Sequence, residues 1–168
     1  MSILSSLQWL EATQFSTGIR ESTYVWAIID GVHVLGLCLF VGLTLFWDLR
    51  LLNVVMKRVP VTEIWSRLIP WMTVGFVIML FSGLGLFVSD PVRFYGNIIF
   101  RIKVVVLVVA ALNALAFHSG IERRLLEWDT TPTTPAAAKV AGALSISMWA
   151  LAIVCGRLIA YNWFEPLV

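Results

Sequence analysis

The chain has 168 residues, 60 per cent of them hydrophobic and 13 per cent charged, with a formal net charge of +2 and a mean hydropathy of +0.90. That leaves too little polar surface for a water-soluble globule, and the length suits one domain. The small positive balance sits between the apolar runs and gives no basic face for nucleic acid.

The chain opens with "MSILSSLQWLEATQFSTGIRES". This stretch lacks a basic n-region and carries Glu11, Arg20 and Glu21, so it does not read as a secretory signal. Ile3, Leu4, Leu7, Leu10 and Phe15 are loosely amphipathic and predict a short interfacial helix over about 3–15. A partly ordered tail is the alternative.

Four apolar segments follow, at about 24–47, 68–88, 98–118 and 139–161, each near the ~20 residues that a membrane-spanning helix needs. The first connection, "DLRLLNVVMKRVPVTEIWSRLIP", carries Arg50, Lys57, Arg58 and Arg67. The second, "SDPVRFYGN", carries Arg93 and contains the turn-forming pair Asp90-Pro91. The third, "SGIERRLLEWDTTPTTPAAAK", carries Arg123, Arg124 and Lys139, with a Thr/Pro stretch that breaks a helix. The basic first and third connections predict a cytoplasmic side, with both termini outside. Trp26, Trp47, Trp71 and Trp163 fall near span ends, where an aromatic belt is expected.

Short links predict an all-α integral membrane fold, an antiparallel up-and-down bundle of four transmembrane helices with the interfacial helix at its start. Gly36, Gly42, Gly75, Ser82, Gly83, Gly85, Ala110, Ala114, Ser145, Ala152 and Gly156 are small residues that permit close helix packing in lipid. They also leave room for a flat cofactor. Cys38 and Cys155 form no CxxC and signal neither a redox pair nor a zinc site, so small buried packing residues are expected.

Ionisable side chains inside spans are costly and mark sites. Asp30 and His33, three apart, share a helix face. His33 lies 17 residues before Arg50, and Lys103 lies 20 before Arg123. At ~1.5 Å per residue the two differ in depth by about 5 Å. Arg101 and Arg157 belong to the same outer layer, so three spans supply one imidazole, two guanidiniums, one amine and one carboxylate. His118 lies about 18 Å deeper than His33 by the same rise and cannot share an iron with it. It ends a stripe of Lys103, Leu107, Ala110, Ala114 and His118 at helical spacing, which would face the core and hold a second cofactor with Met72 or Met148. The alternative is a solvated histidine at the membrane surface.

HExxH, GxSxG and glycine-rich phosphate loops are missing, as is a pair of close membrane carboxylates. Copper handling would want a dense Met, Cys and His cluster, which the spacing does not offer. Haem b suits the set better. A histidine projecting into a four-helix core ligates iron, and arginines pair propionates. In this reading His33 is an axial ligand, Lys103 its counterpart or a propionate partner, and Arg101 and Arg157 propionate partners. Asp30 orients His33 or accepts protons from outside. His118 is the candidate ligand of a second haem near the cytoplasmic face.

"VHVLGLCLFVGLTLFWDLRLL" in the first span and "RIKVVVLVVAALNALAFHSGIERR" in the third resemble a superfamily of four-span bacterial membrane proteins. It contains the HemJ-type protoporphyrinogen oxidases and the CopD-type copper-resistance proteins. The first stretch is most similar to uncharacterised members with a "DLRLL" ending. The resemblance covers spans one to three and implies haem b, with the axial pair falling on His33 and Lys103. Three functions are therefore expected in order: a b-type membrane cytochrome, a protoporphyrinogen IX oxidase, and a copper-handling protein. Expected partners of the first are lipid, a quinol or periplasmic electron carrier, and a second copy in a homo-oligomer.

Overall fold

A computed structural model describes residues 3–121, 129 and 134–161. Its helices are α1 (Ile3–Glu11), α2 (Gln14–Glu21), α3 (Thr23–Leu51), α4 (Val61–Ser89), α5 (Pro91–Gly96), α6 (Ile98–Ala116) and α7 (Ala136–Ala160), with a π-helical turn, Phe117–Ile121, continuing α6. No strand occurs among the described residues. Four helices are long and apolar enough to cross a membrane: α3, α4, α6 with its π-turn, and α7.

Local chemistry sets the boundaries. Ser22 caps α3 by accepting a hydrogen bond from Val25 N. Asn97 caps α6 through Ile99 N and Phe100 N. Such caps satisfy main-chain donors that a helix start leaves open. The single interfacial helix expected over 3–15 is two helices, because Thr13 stops the first and caps the second. Its hydroxyl donates to Leu10 O and accepts from Ser16 N. α4 begins seven residues earlier than the apolar segment suggests, since Glu63 and Arg67 form an i,i+4 ion pair of 2.7 Å that continues the helix beyond its hydrophobic stretch. The short helix α5 was not expected; Asp90 caps it and Pro91 starts it.

The bundle is two hairpins joined side by side. α3 packs along α4, α6 packs along α7, and α3 meets α7. α4 and α6, consecutive spans, are not packed along their lengths. Within the first hairpin the helices approach at Gly36 and Gly75. A Cβ on Gly36 would lie 2.9 Å from Met79 N, and one on Gly75 2.8 Å from Phe40 N. Gly42 instead meets nothing within 4 Å and faces outward.

The two ends differ. At the capped end α2 docks on α4, with the buried Ser16 hydroxyl donating to Val88 O at 2.7 Å. Phe87, Phe94 and Phe100 cluster there, the first and last stacked at 5.5 Å. At the loop end Trp47, Leu51, Val61, Ile64, Phe117, Ala138 and Ala141 form the core. Trp47 thus belongs to that core, against Trp65 at 4.9 Å, and not to an aromatic belt. Trp26 and Trp71 are exposed, and Trp163 lies outside the described residues. Cys155 is buried as expected, but Cys38 is exposed on the outer face of α3.

Candidate functional site

His33 sits on the α4-facing side of α3, ten residues into the helix. Its Nδ1 lies 3.0 Å from Met79 O and 3.1 Å from Ser82 Oγ, both on α4. A carbonyl only accepts, so Nδ1 carries the ring proton. The Ser82 hydroxyl donates to Ile78 O at 2.6 Å and can accept from the imidazole. In the neutral form of the ring, Nε2 is then the unprotonated nitrogen. Gly83 makes space for that ring: a Cβ there would stand 3.1 Å from His33 Cε1.

Lys103, on α6, lies within electrostatic range of His33, as does Asp30. Its amine is accommodated by α7, 3.6 Å from where a Gly156 Cβ would be and beside Cys155. His33 thus faces α4 and Lys103 faces α7, and the two interact through charge. The residues that hold His33 are Met79 and Ser82, not Asp30, which sits about a turn away and interacts only through its charge. Ser82 had figured as a small packing residue. Its hydroxyl, seven residues from the capped end of α4, was the sequence signal for a partner at the depth of His33.

Arg101, Arg157 and His118 do not join this cluster. Arg101 is exposed, its Nε donating to Tyr95 O at 2.9 Å and its guanidinium 4.9 Å from the Tyr95 ring centre. Two residues on a helix subtend ~200°, so with Lys103 facing α7 Arg101 must face away. Arg157 is exposed for the same reason, two residues beyond buried Cys155. His118 lies in the π-turn and is exposed, whereas Val106, Ala110 and Phe117 are buried, so the core-facing line of the helix runs through Phe117 and not His118. The exposed His118 ring lies tilted against Trp65, with the ring centres 5.2 Å apart. The core-facing second site expected of His118 is thereby corrected to a surface position.

A second polar layer near the loop end escaped the sequence reading. Asp48 and Arg50, within the "DLRLL" stretch, are each only 3 % exposed. Arg50 does not mark the surface; its Nη2 donates to Val59 O at 2.8 Å. Nearby, Asn113 Nδ2 donates to Ala141 O at 3.0 Å, tying α6 to α7. Asp129 accepts from Thr62 N and Thr62 Oγ1 and so caps α4 from a distant loop. Burial pushes its carboxyl up, but the hydrogen bonds from Thr62 and Val61, helped by the Arg50 charge, hold it below the usual carboxylate range.

Among the described residues no three His, Cys, Asp or Glu side chains gather as a metal-ion site. No curated protein and no solved structure matches the chain. One family model does, over residues 7–162. The chain belongs to that family, DUF6644, described as a family of unknown function.

Proposed function

We propose that this protein is a b-type membrane cytochrome that carries electrons within the membrane, with its haem held by His33 in the half nearer the capped end. The observation that carries this reading is the main-chain hydrogen bond to His33 Nδ1. Metal-ligating histidines characteristically donate their other ring N–H to a carbonyl or carboxylate, which fixes the tautomer and the ring orientation. Here Met79 O performs that role and leaves Nε2 as the donor atom. Lys103, beside Gly156 and Cys155, is the candidate second ligand when its amine is neutral. The donor set of one oriented imidazole and one amine suits haem iron. A bare copper ion is less favoured, since it lacks a donor cluster among the described residues. Haem supplies one-electron chemistry when bound; the chain's residues hold and orient it and keep its surroundings apolar.

The loop end is assigned to the cytoplasm of a bacterial inner membrane, because Lys57, Arg58, Arg67, Arg123, Arg124 and Lys139 lie in or beside its connections. The haem then serves a quinol or a soluble carrier on the outer side. A reduced-minus-oxidised spectrum of the purified protein, with haem quantitation, tests the reading. One haem per chain, lost in a folded His33→Ala variant, is expected; a colourless wild-type protein from haem-replete cells overturns it. A C-terminal reporter active only outside the cytoplasm is the expected topology result.

A further inference from the structure

The buried layer near the loop end contains a carboxyl that the outer site does not use. Asp48 is 3 % exposed, and its Oδ2 has no hydrogen-bond partner. The Ser145 hydroxyl of α7 is within hydrogen-bonding reach of the carboxyl. The α7 backbone comes close at this level, since a Cβ on Gly142 would lie 3.1 Å from Asp48 O. Beside the carboxyl, between α3 and α7, is a cavity of about 150 Å³. Apart from Asp48 its walls are apolar, among them Val41, Leu45, Trp149 and Ile153. Leu45 and Ile153 are also exposed on the outer surface of their helices, so the cavity faces lipid.

The charged groups around Asp48 are engaged elsewhere or lie apart from it. On its own helix, Arg50 points to Val59 O and toward Asp129. On α4, Glu63 and Arg67 pair with each other. On α7, Lys139 precedes Ser145 by six residues, nearly two turns toward the loop end. Among the described residues none forms an ion pair with Asp48. An ionised carboxylate in such a setting carries a desolvation cost that one hydroxyl does not offset.

We propose that Asp48 is a proton-binding site, a carboxylic acid that keeps its proton at neutral pH and is reached from the membrane through the cavity between α3 and α7. Ser145 accepts or donates one hydrogen bond to suit either state of the acid, and the unpartnered oxygen lies buried behind the cavity's apolar wall, so a proton carrier in the cavity reaches it as those side chains move. This assignment stands on the buried layer alone and does not depend on haem at His33.

Two measurements on the full chain in lipid vesicles test it. The first is infrared difference spectroscopy between wild type and Asp48→Asn near pH 7. The carbonyl band of a protonated carboxylic acid is expected in the wild type and lost in the variant; no such difference overturns the proposal. The second is modification by dicyclohexylcarbodiimide, which adds across an acid's O–H. The carboxyl oxygen bonds to the central carbon, the proton passes to nitrogen, and the adduct rearranges to a stable N-acylurea. One adduct on the Asp48 peptide is expected, declining as pH rises, absent in Asp48→Asn, and blocked when Ala150→Trp fills the cavity while the infrared band persists. Equal labelling by a water-soluble carbodiimide, or no adduct on Asp48 while Asp30 is labelled, overturns access through the cavity.

Discussion

The imidazole of His33 and the main-chain oxygen of Met79 are 3.0 Å apart across the α3–α4 interface. That contact fixes where the ring proton resides, and the Ser82 hydroxyl at 3.1 Å reinforces it. The carbonyl cannot be mutated away, so the hydroxyl is the adjustable part. Ser82→Ala should retain haem with an affinity lowered about tenfold, in line with the usual effect of losing a ligand's hydrogen-bond partner. Haem titration of the apoprotein measures this, and complete loss would mean that the serine itself ligates or that the helix has shifted.

Gly83 is a packing requirement of the same ring. Gly83→Val should turn the imidazole and strip the haem while circular dichroism remains fully helical, because the added carbon meets His33 Cε1 at 3.1 Å. Gly85→Ala serves as the control. Its Cβ meets Ile29 at an ordinary 3.5 Å, and haem content should be unchanged.

Lys103 separates two versions of the site. If its amine binds iron, Lys103→Ala should give a five-coordinate, high-spin spectrum, and Lys103→Met should stay six-coordinate at a raised potential. A low-spin spectrum in Lys103→Ala indistinguishable from wild type rejects the ligand role.

Close packing in the first hairpin depends on Gly75, whose Cβ would strike the backbone of Phe40 at 2.8 Å. Main-chain atoms do not yield cheaply. Gly75→Ala should therefore destabilise the fold by about 1–3 kcal/mol, the usual cost of overpacking. Gly42→Ala, which meets nothing within 4 Å, should be near neutral. Denaturation in mixed micelles compares them.

The Asp129 carboxyl, held below its ordinary range, makes the loop's attachment to α4 acid-sensitive. A depressed folded-state value means the contribution is complete above the unfolded carboxylate range and is lost as pH falls through the folded value. Hydrogen exchange at Thr62 N should accelerate relative to neighbouring amides on acidification in wild type. Asp129→Asn should show the faster exchange at neutral pH already.

The spans were legible because hydropathy is a one-dimensional quantity. Facing directions were less so. Arg101 was grouped with Lys103 by depth, yet two residues of helical rotation separate them and one faces out. His118 followed a 3.6-residue stripe, but that stripe has already left the core at the exposed Ala114, and the buried line runs through Val106, Ala110 and Phe117. Arg50 looked like a surface charge at a span end, but the Val59 carbonyl and the distant Asp129 give it partners only after the chain has folded. The capping of α4 by Asp129 is a contact over 67 residues, beyond the reach of any local pattern.

The pairing of spans as two sequential hairpins, without packing between α4 and α6, makes the order of synthesis also an order of assembly. The first hairpin has both its close-approach glycines and the α4 hydrogen-bond partners of His33 before α6 has left the ribosome. Neighbouring segments find each other early and domains build from the N-terminal side. The second hairpin then brings Lys103, already seated on α7, toward a histidine that is waiting in its final orientation.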